Sequence, residues 1–347
     1  MGIWDRSIMR GRRILPNVAE PLTEFGTTLN KEFVTKPLGA RDLRKVQISP
    51  KGELILSATS TPAGVYVLDK NDGALVKTLA SGATDGVAYD GAGSLYFIAA
   101  QNDAKKYTDE GALLIDKAAA NVGRFSNEVV WAGDRWATAY AIEGMGVLDA
   151  DCNVLWSRNT LDGAFRGLTS LDGDVVVLRP NLLQSYAPNG ALNWQLPFDG
   201  VTPVNFAWAL GTSRDRIVSA WGQADTVYPG SSSAFGLHAH SPDGTVAWEV
   251  PEVWKLSSNS YAIATSPCEA FTVDRFGHIY VLLGDRGRDL FRFSPDGELV
   301  WSAHDQGLIP PDGRLNGNVF ARGMTVDADG NIYVSFSNGD VMKISQS

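Results

Sequence analysis

Seven polar residues of this 347-residue chain hold one equivalent rank: Arg44, Asp85, Asn127, Arg166, Asn205, Glu269 and Arg322 each stand close ahead of an alternating apolar stretch of similar sequence. Asp85, Asn127, Asn205 and Glu269 are hard oxygen donors of the sort that coordinate calcium or another divalent cation. Arg44, Arg166 and Arg322 are planar cations suited to carboxylates or to an anionic ligand. Gathered in one place, such a set supports three readings: a salt-bridged ring, a cation site and an anion site. The arginines weigh against the cation, because all three would stand close to it and can instead pair with Asp85 or Glu269. No resident cofactor is expected on this balance, and a divalent cation is the alternative.

The second candidate is His238 with His240. Alternation on a strand points both rings the same way, as in a metal-binding or acid–base pair. His278 occupies a turn where Asn331 stands in a later unit, so it is expected at the surface. His304 is the fourth histidine. Cys152 and Cys268 lack CxxC spacing and any nearby ligand cluster, which makes them buried free thiols. Nucleophile elbow, phosphate loop and HExxH motifs are absent, and Gly284-Asp285-Arg286-Gly287 is a turn too short to cradle a phosphate. No catalytic residue is assigned.

The elements that position these side chains are repeats. One recurring element is a turn running into a strand: Asn71-Asp72-Gly73-Ala74-Leu75-Val76, Glu110-Gly111-Ala112-Leu113-Leu114, Cys152-Asn153-Val154-Leu155-Trp156, Pro188-Asn189-Gly190-Ala191-Leu192-Asn193-Trp194, Pro242-Asp243-Gly244 through Trp248, and Pro295-Asp296-Gly297 through Trp301. Asn-Asp-Gly and Pro-Asp-Gly are hairpin chemistry, since Gly accepts the positive φ of the turn and Asp bonds its own backbone. Trp156, Trp194, Trp248 and Trp301 recur at one position and read as packing residues of the repeat. A second element pairs two alternating strands across a turn, beginning near Val46, Val87, Val129, Leu168, Phe206, Phe271 and Met324.

Seven inner elements against six outer strands leave one strand missing, and residues 28–36 (TLNKEFVTK) carry the outer-strand pattern with Asn30 at the turn position. The expected fold is therefore all-β, a seven-bladed β-propeller of four-stranded antiparallel blades. Its last blade, 323–347, is closed by an N-terminal strand, which removes an open sheet edge. Residues 28–347 form the ring and 1–27 an extended arm. Turn positions 73, 111, 153 and 190 lie 37 to 42 residues apart, whereas the next two intervals are 54 and 53, so insertions fall near 221–234, 251–267 and 303–320.

The units VDADGNIYV and VDRFGHIYV, followed by FSPDGELVW, resemble the repeats of NHL-type and quinoprotein-type β-propellers over residues 31–347. That resemblance implies that the seven polar residues line one mouth of the central channel. It also implies the range of roles found there: lactonases and lyases with a channel metal, quinone-dependent dehydrogenases and non-catalytic binding modules. Propeller hydrolases of the gluconolactonase kind use a Glu/Asn/Asp set at that mouth.

A formal net charge of −9 argues against nucleic acid as a partner. No apolar run is long enough for a secretory signal or a membrane helix, so membrane insertion is not expected and a cytoplasmic or virion-associated location is. The first 13 residues carry Arg6, Arg10, Arg12 and Arg13 against one aspartate. With Trp4, Ile8, Met9, Ile14 and Leu15 as apolar anchors, the arm suits docking to protein partners or to another copy. The function expected is a non-enzymatic structural or protein-binding module in a larger assembly, such as a phage tail. The alternative is a metal-dependent hydrolase, lactonase or lyase at the channel mouth.

Overall fold

The computed structural model describes residues 25–347 except 39–42, 60–62, 83, 85, 100–102, 119–127, 141–143, 160–166, 180–181, 198–203, 225–231, 256–267, 284–288, 310–313 and 318. Backbone alone is described at 140, 159, 204–208, 222–224, 232–234, 251–255 and 269. The strands form seven four-stranded antiparallel sheets. Blade one spans 43–81, blade two 88–118, blade three 128–159, blade four 167–197, blade five 204–255, blade six 268–302 and blade seven 321–346. This is the β-propeller expected from the repeats. No helix among the described residues is long and apolar enough to cross a membrane.

Each blade is buried on both faces, so its middle strands read as continuous apolar runs. In blade one, Ile55, Val65 and Val67 pack against Leu95 and Phe97 of blade two. The alternate residues Leu54, Leu56 and Tyr66 pack against Tyr333 and Val341 of blade seven. The period of two thus serves two neighbours at once. Each such side chain buried from water contributes about 1.5–3 kcal/mol.

The ring closes as expected. Leu29–Thr35 pairs antiparallel with Val341–Gln346, Leu29 opposite Gln346 and Thr35 opposite Val341. Thr28 and Ser347 exchange both backbone hydrogen bonds at 3.0 Å. Asn30 does not form a turn; it lies inside the strand opposite Ser345, because two separate chain segments meet where the other blades have a hairpin.

The outer tryptophans hand each blade to the next. Trp156, Trp194 and Trp248 donate their indole N–H groups to the carbonyls of Pro188, Pro242 and Pro295 at 3.0, 2.7 and 3.1 Å. Each indole also lies on the turn glycine of that next blade, Gly190, Gly244 or Gly297. At the closure Phe33 takes this place against Gly73, which confirms that the N-terminal strand does an outer strand's work. Blade seven has no hairpin turn for Trp301 to meet, and among the described residues its Nε1 has no partner. In blade three the left-handed turn residue is Cys152 (φ 59°), one position before the expected residue 153, and its side chain is buried with Trp136 and Leu148.

A clasp recurs in blades two, six and seven. The carboxylates of Asp90, Asp274 and Asp327 accept turn N–H groups and the hydroxyls of Tyr96, Tyr280 and Tyr333 at 2.9, 3.0 and 3.1 Å. The insertion after residue 302 is partly core, since Ile309 and Leu315 are buried with Tyr280 and Met324. Part of the insertion near 221 lengthens blade five, whose strands run to Ala224 and resume at Ser232; residues 225–231 and 256–267 lie outside the described residues.

Phe25 and Gly26 are pinned at the seam of blades six and seven. Arg292, fully buried, donates to the carbonyls of Phe25 (3.1 Å) and Gly26 (3.4 Å) and to Gln346 Oε1 (3.4 Å). The Phe25 ring stands edge-on to Phe276 at 5.0 Å and fills the space over Gly330. His278 belongs to this cluster and is buried, contrary to expectation, because Arg292 covers it at 3.2 Å while Asp274 Oδ2 holds its Nδ1 at 3.2 Å.

Candidate functional site

The inner strands leave a cavity of about 460 Å³ on the channel, lined by residues of blades one, three, five, six and seven. Four of the seven rank residues sit where an inner strand breaks register. Arg44 falls between the paired Leu43 and Val46, Asn205 between Val204 and Phe206, Glu269 between Cys268 and Ala270, and Arg322 between Ala321 and Gly323. A β-bulge carries an unpaired residue and interrupts the ladder, so these four residues share one backbone position in their blades. Gly323 lets blades seven and one approach there, since a Cβ would sit 2.8 Å from the Lys45 Cα.

Arg44 is half-buried and donates from Nε to Thr59 Oγ1 at 3.0 Å, while Arg322 is exposed and lines the cavity. Asp85, Asn127 and Arg166 lie outside the described residues, and for Asn205 and Glu269 only the backbone is described. Among the described residues no group of three or more His, Cys, Asp or Glu is placed to hold a metal.

One charged pair escaped the sequence alignment. Lys45 of blade one forms an ion pair with Glu128 of blade three, past blade two, and both line the cavity. They stand one position after Arg44 and Asn127, so opposite charges at the adjacent rank were the available signal. Gln47, Thr272 and Thr325 add neutral polar groups to the lining. The result is a partly bridged, mixed-polarity channel.

His238 and His240 do share a face, but it is a packing face. They lie opposite Ser219 and Ile217 on the next strand, on the side where Ile217 and Trp221 pack against Val176 and Leu178 of blade four. Their rings are 6.0 Å apart, and His238 Nε2 meets Glu249 Oε1 at 3.2 Å. Burial pulls His240 down to about 4, helped by His238 beside it. Burial also lowers His238, against the opposing pull of Glu249. Cys152 and Cys268 are free and buried as expected, with burial pushing the Cys152 thiol up to about 12.

A second surface was not foreseen as a site. Directly after the hairpin turns, the outermost strands expose large apolar side chains, including Val76, Leu114, Leu155, Leu192, Val246 and Leu299, at 46% to 59% exposure. Six blades share this collar on the end of the ring that carries the hairpins. Exposed acids flank it at Asp72, Glu110, Asp151, Asp243 and Asp296.

No family model matches the chain, and no curated protein matches it. Among solved structures, a streptogramin B lyase superposes with a TM-score of 0.66 at 13% identity, covering 92% of this chain and 97% of the other. The WD40 β-propeller domain of Doa1 superposes with a TM-score of 0.63 at 11% identity, covering 92% and 98%. At such identities the likeness concerns the fold: this chain is a seven-bladed β-propeller similar in architecture to both.

Proposed function

We propose that this chain is a non-enzymatic β-propeller, a structural and protein-binding module that docks into a larger assembly through its N-terminal segment. The observation that carries the reading is the collar, where apolar side chains stand exposed on six of seven blades. Exposed hydrophobics scattered singly are ordinary, whereas here they recur at one position of the repeat, directly after the turn of each outermost strand. The bridged channel agrees, because Lys45 and Glu128 occupy one another there. The test is the mass of the full chain against one lacking residues 2–20, which keeps Phe25 and its clasp. Light scattering should show association of the full chain and its loss on deletion, with unchanged melting; a full chain that stays monomeric sinks the reading.

A catalytic reading has one observation in its favour: Asn205 and Glu269 fall at register breaks of inner strands whose residues Leu210, Cys268 and Ala270 line a cavity large enough for a small ligand. It makes the chain a metal-dependent hydrolase, lactonase or lyase with Asp85, Asn127, Asn205 and Glu269 as ligands. Mass spectrometry of purified protein should then find a stoichiometric divalent ion that Glu269→Gln removes.

A further inference from the structure

The collar and the N-terminal segment are complementary, and we infer that residues 1–24 of one copy lie along the collar of a second copy. This rests on the assembly reading above and deepens it by naming the surface that receives the arm.

Three observations converge. The segment combines apolar anchors, Trp4, Ile8, Met9, Ile14 and Leu15, with Arg6, Arg10, Arg12 and Arg13. The collar is its counterpart, apolar steps such as Leu114, Leu155 and Val246 beside exposed acids at Asp72, Asp151 and Asp243. Lys77 already pairs with Glu110, and Arg216 with Asp296, so part of the acidic character is answered within the ring. Residues 1–13, with four arginines against Asp5, supply the cationic part of the segment, and Glu20 and Glu24 lie beyond it. That basic, apolar half satisfies both halves of the remaining surface, and its charges steer its approach.

The place where the segment joins the ring supports the match. Phe25 is clamped over Gly330 and against Phe276, in the hairpin turns of blades seven and six. In an antiparallel four-stranded blade the first and third turns lie at the same end, so the segment starts at the end that bears the collar. Extended, 24 residues reach about 80 Å, enough to cross from one ring to another.

The second copy is favoured over the same ring by the collar's own gap. On the strand Leu29–Thr35, which the segment adjoins, the two positions ahead of Phe33 are the exposed and charged Lys31 and Glu32 in place of an apolar pair, and Val34 is its exposed apolar residue. An arm-to-collar contact is heterologous, so it builds a closed ring of copies or an open filament.

The experiment uses the full chain. Sedimentation measures self-association for the natural sequence, for the collar variant Leu114→Asp/Leu155→Asp, and for the arm variant Arg10→Glu/Arg12→Glu/Arg13→Glu. Leu114 and Leu155 are exposed, and unchanged melting of each variant checks that the ring is intact. Each variant should weaken association by at least ten-fold, about 1.4 kcal/mol, and raised salt should weaken the natural protein as it screens exposed charge. Adding Asp151→Arg/Asp243→Arg to the arm variant should restore part of the loss. If removing residues 2–20 abolishes association while the collar variant associates normally, the assembly reading stands and the collar is overturned as its receiver. A monomeric full chain, including one whose arm covers its own collar, overturns both.

Discussion

Arg292 donates to the main-chain carbonyl of Phe25 at 3.1 Å, joining the sixth blade to residues that precede the first strand of the chain. The guanidinium is fully buried and also meets Gly26, Gln346 and His278, so several acceptors depend on one side chain. Removing one member of a buried charged network leaves its partners unsatisfied, at a cost of about 3 kcal/mol. Arg292→Met should therefore lower stability by about that amount and free the Phe25 end of the clasp. Urea unfolding measures the first, and exchange of the amides at residues 25–28 the second. A loss under about 1 kcal/mol would show that the clasp forms without its arginine.

The tryptophan handover makes a graded prediction for two glycines. Gly52 has φ +80° and open space around it, so Gly52→Ala meets only the backbone penalty of a left-handed residue, about 1 kcal/mol. Gly244 has φ +89°, and a Cβ there would lie 3.0 Å from the Trp194 ring. Gly244→Ala should cost about 1 kcal/mol more than Gly52→Ala, because the indole bonded to Pro242 cannot move freely. Equal losses in denaturant melts would mean that the ring yields to the methyl.

The parts of this molecule that were legible in the sequence are those with local, periodic causes. Pro-Asp-Gly turns and alternating strands announce a blade, and counting outer strands is enough to require residues 28–36 at the closure. Phe33 then lands on Gly73 because it occupies the position that tryptophan holds elsewhere. What stayed hidden depends on residues distant in the chain. His278 looked exposed because its turn is exposed in type, yet Arg292, 14 positions later, folds over it. The recurring Asp–Tyr clasp was visible as letters, but its meaning required the hydroxyl of Tyr333 to reach Asp327 across the hairpin. Arg44 and Arg322 both fall at register breaks of their inner strands, a position the repeat makes visible, whereas the Lys45–Glu128 bridge arises between blades one and three and so lies outside any single repeat.

His240 supplies a pH dependence whose sign follows from burial. Its imidazole falls from the ordinary 6.5 to about 4 in the folded ring, so the unfolded chain takes up the proton first as the pH drops. A group depressed in this way withdraws stability as pH falls from about 6.5 toward 4, and the loss levels off below that. The difference amounts to about 3 kcal/mol over the window. His240→Leu keeps an apolar side chain beside Ile217 and removes the proton linkage. Its stability should decline less between pH 6.5 and 4 than that of the natural protein, by about 3 kcal/mol in urea titrations at fixed pH. His238 is lowered by the same burial while Glu249 pulls it upward, so the variant should keep a smaller acid slope of the same sign. Parallel profiles for variant and natural chain would show that His240 is already solvated enough to be protonated in the folded state.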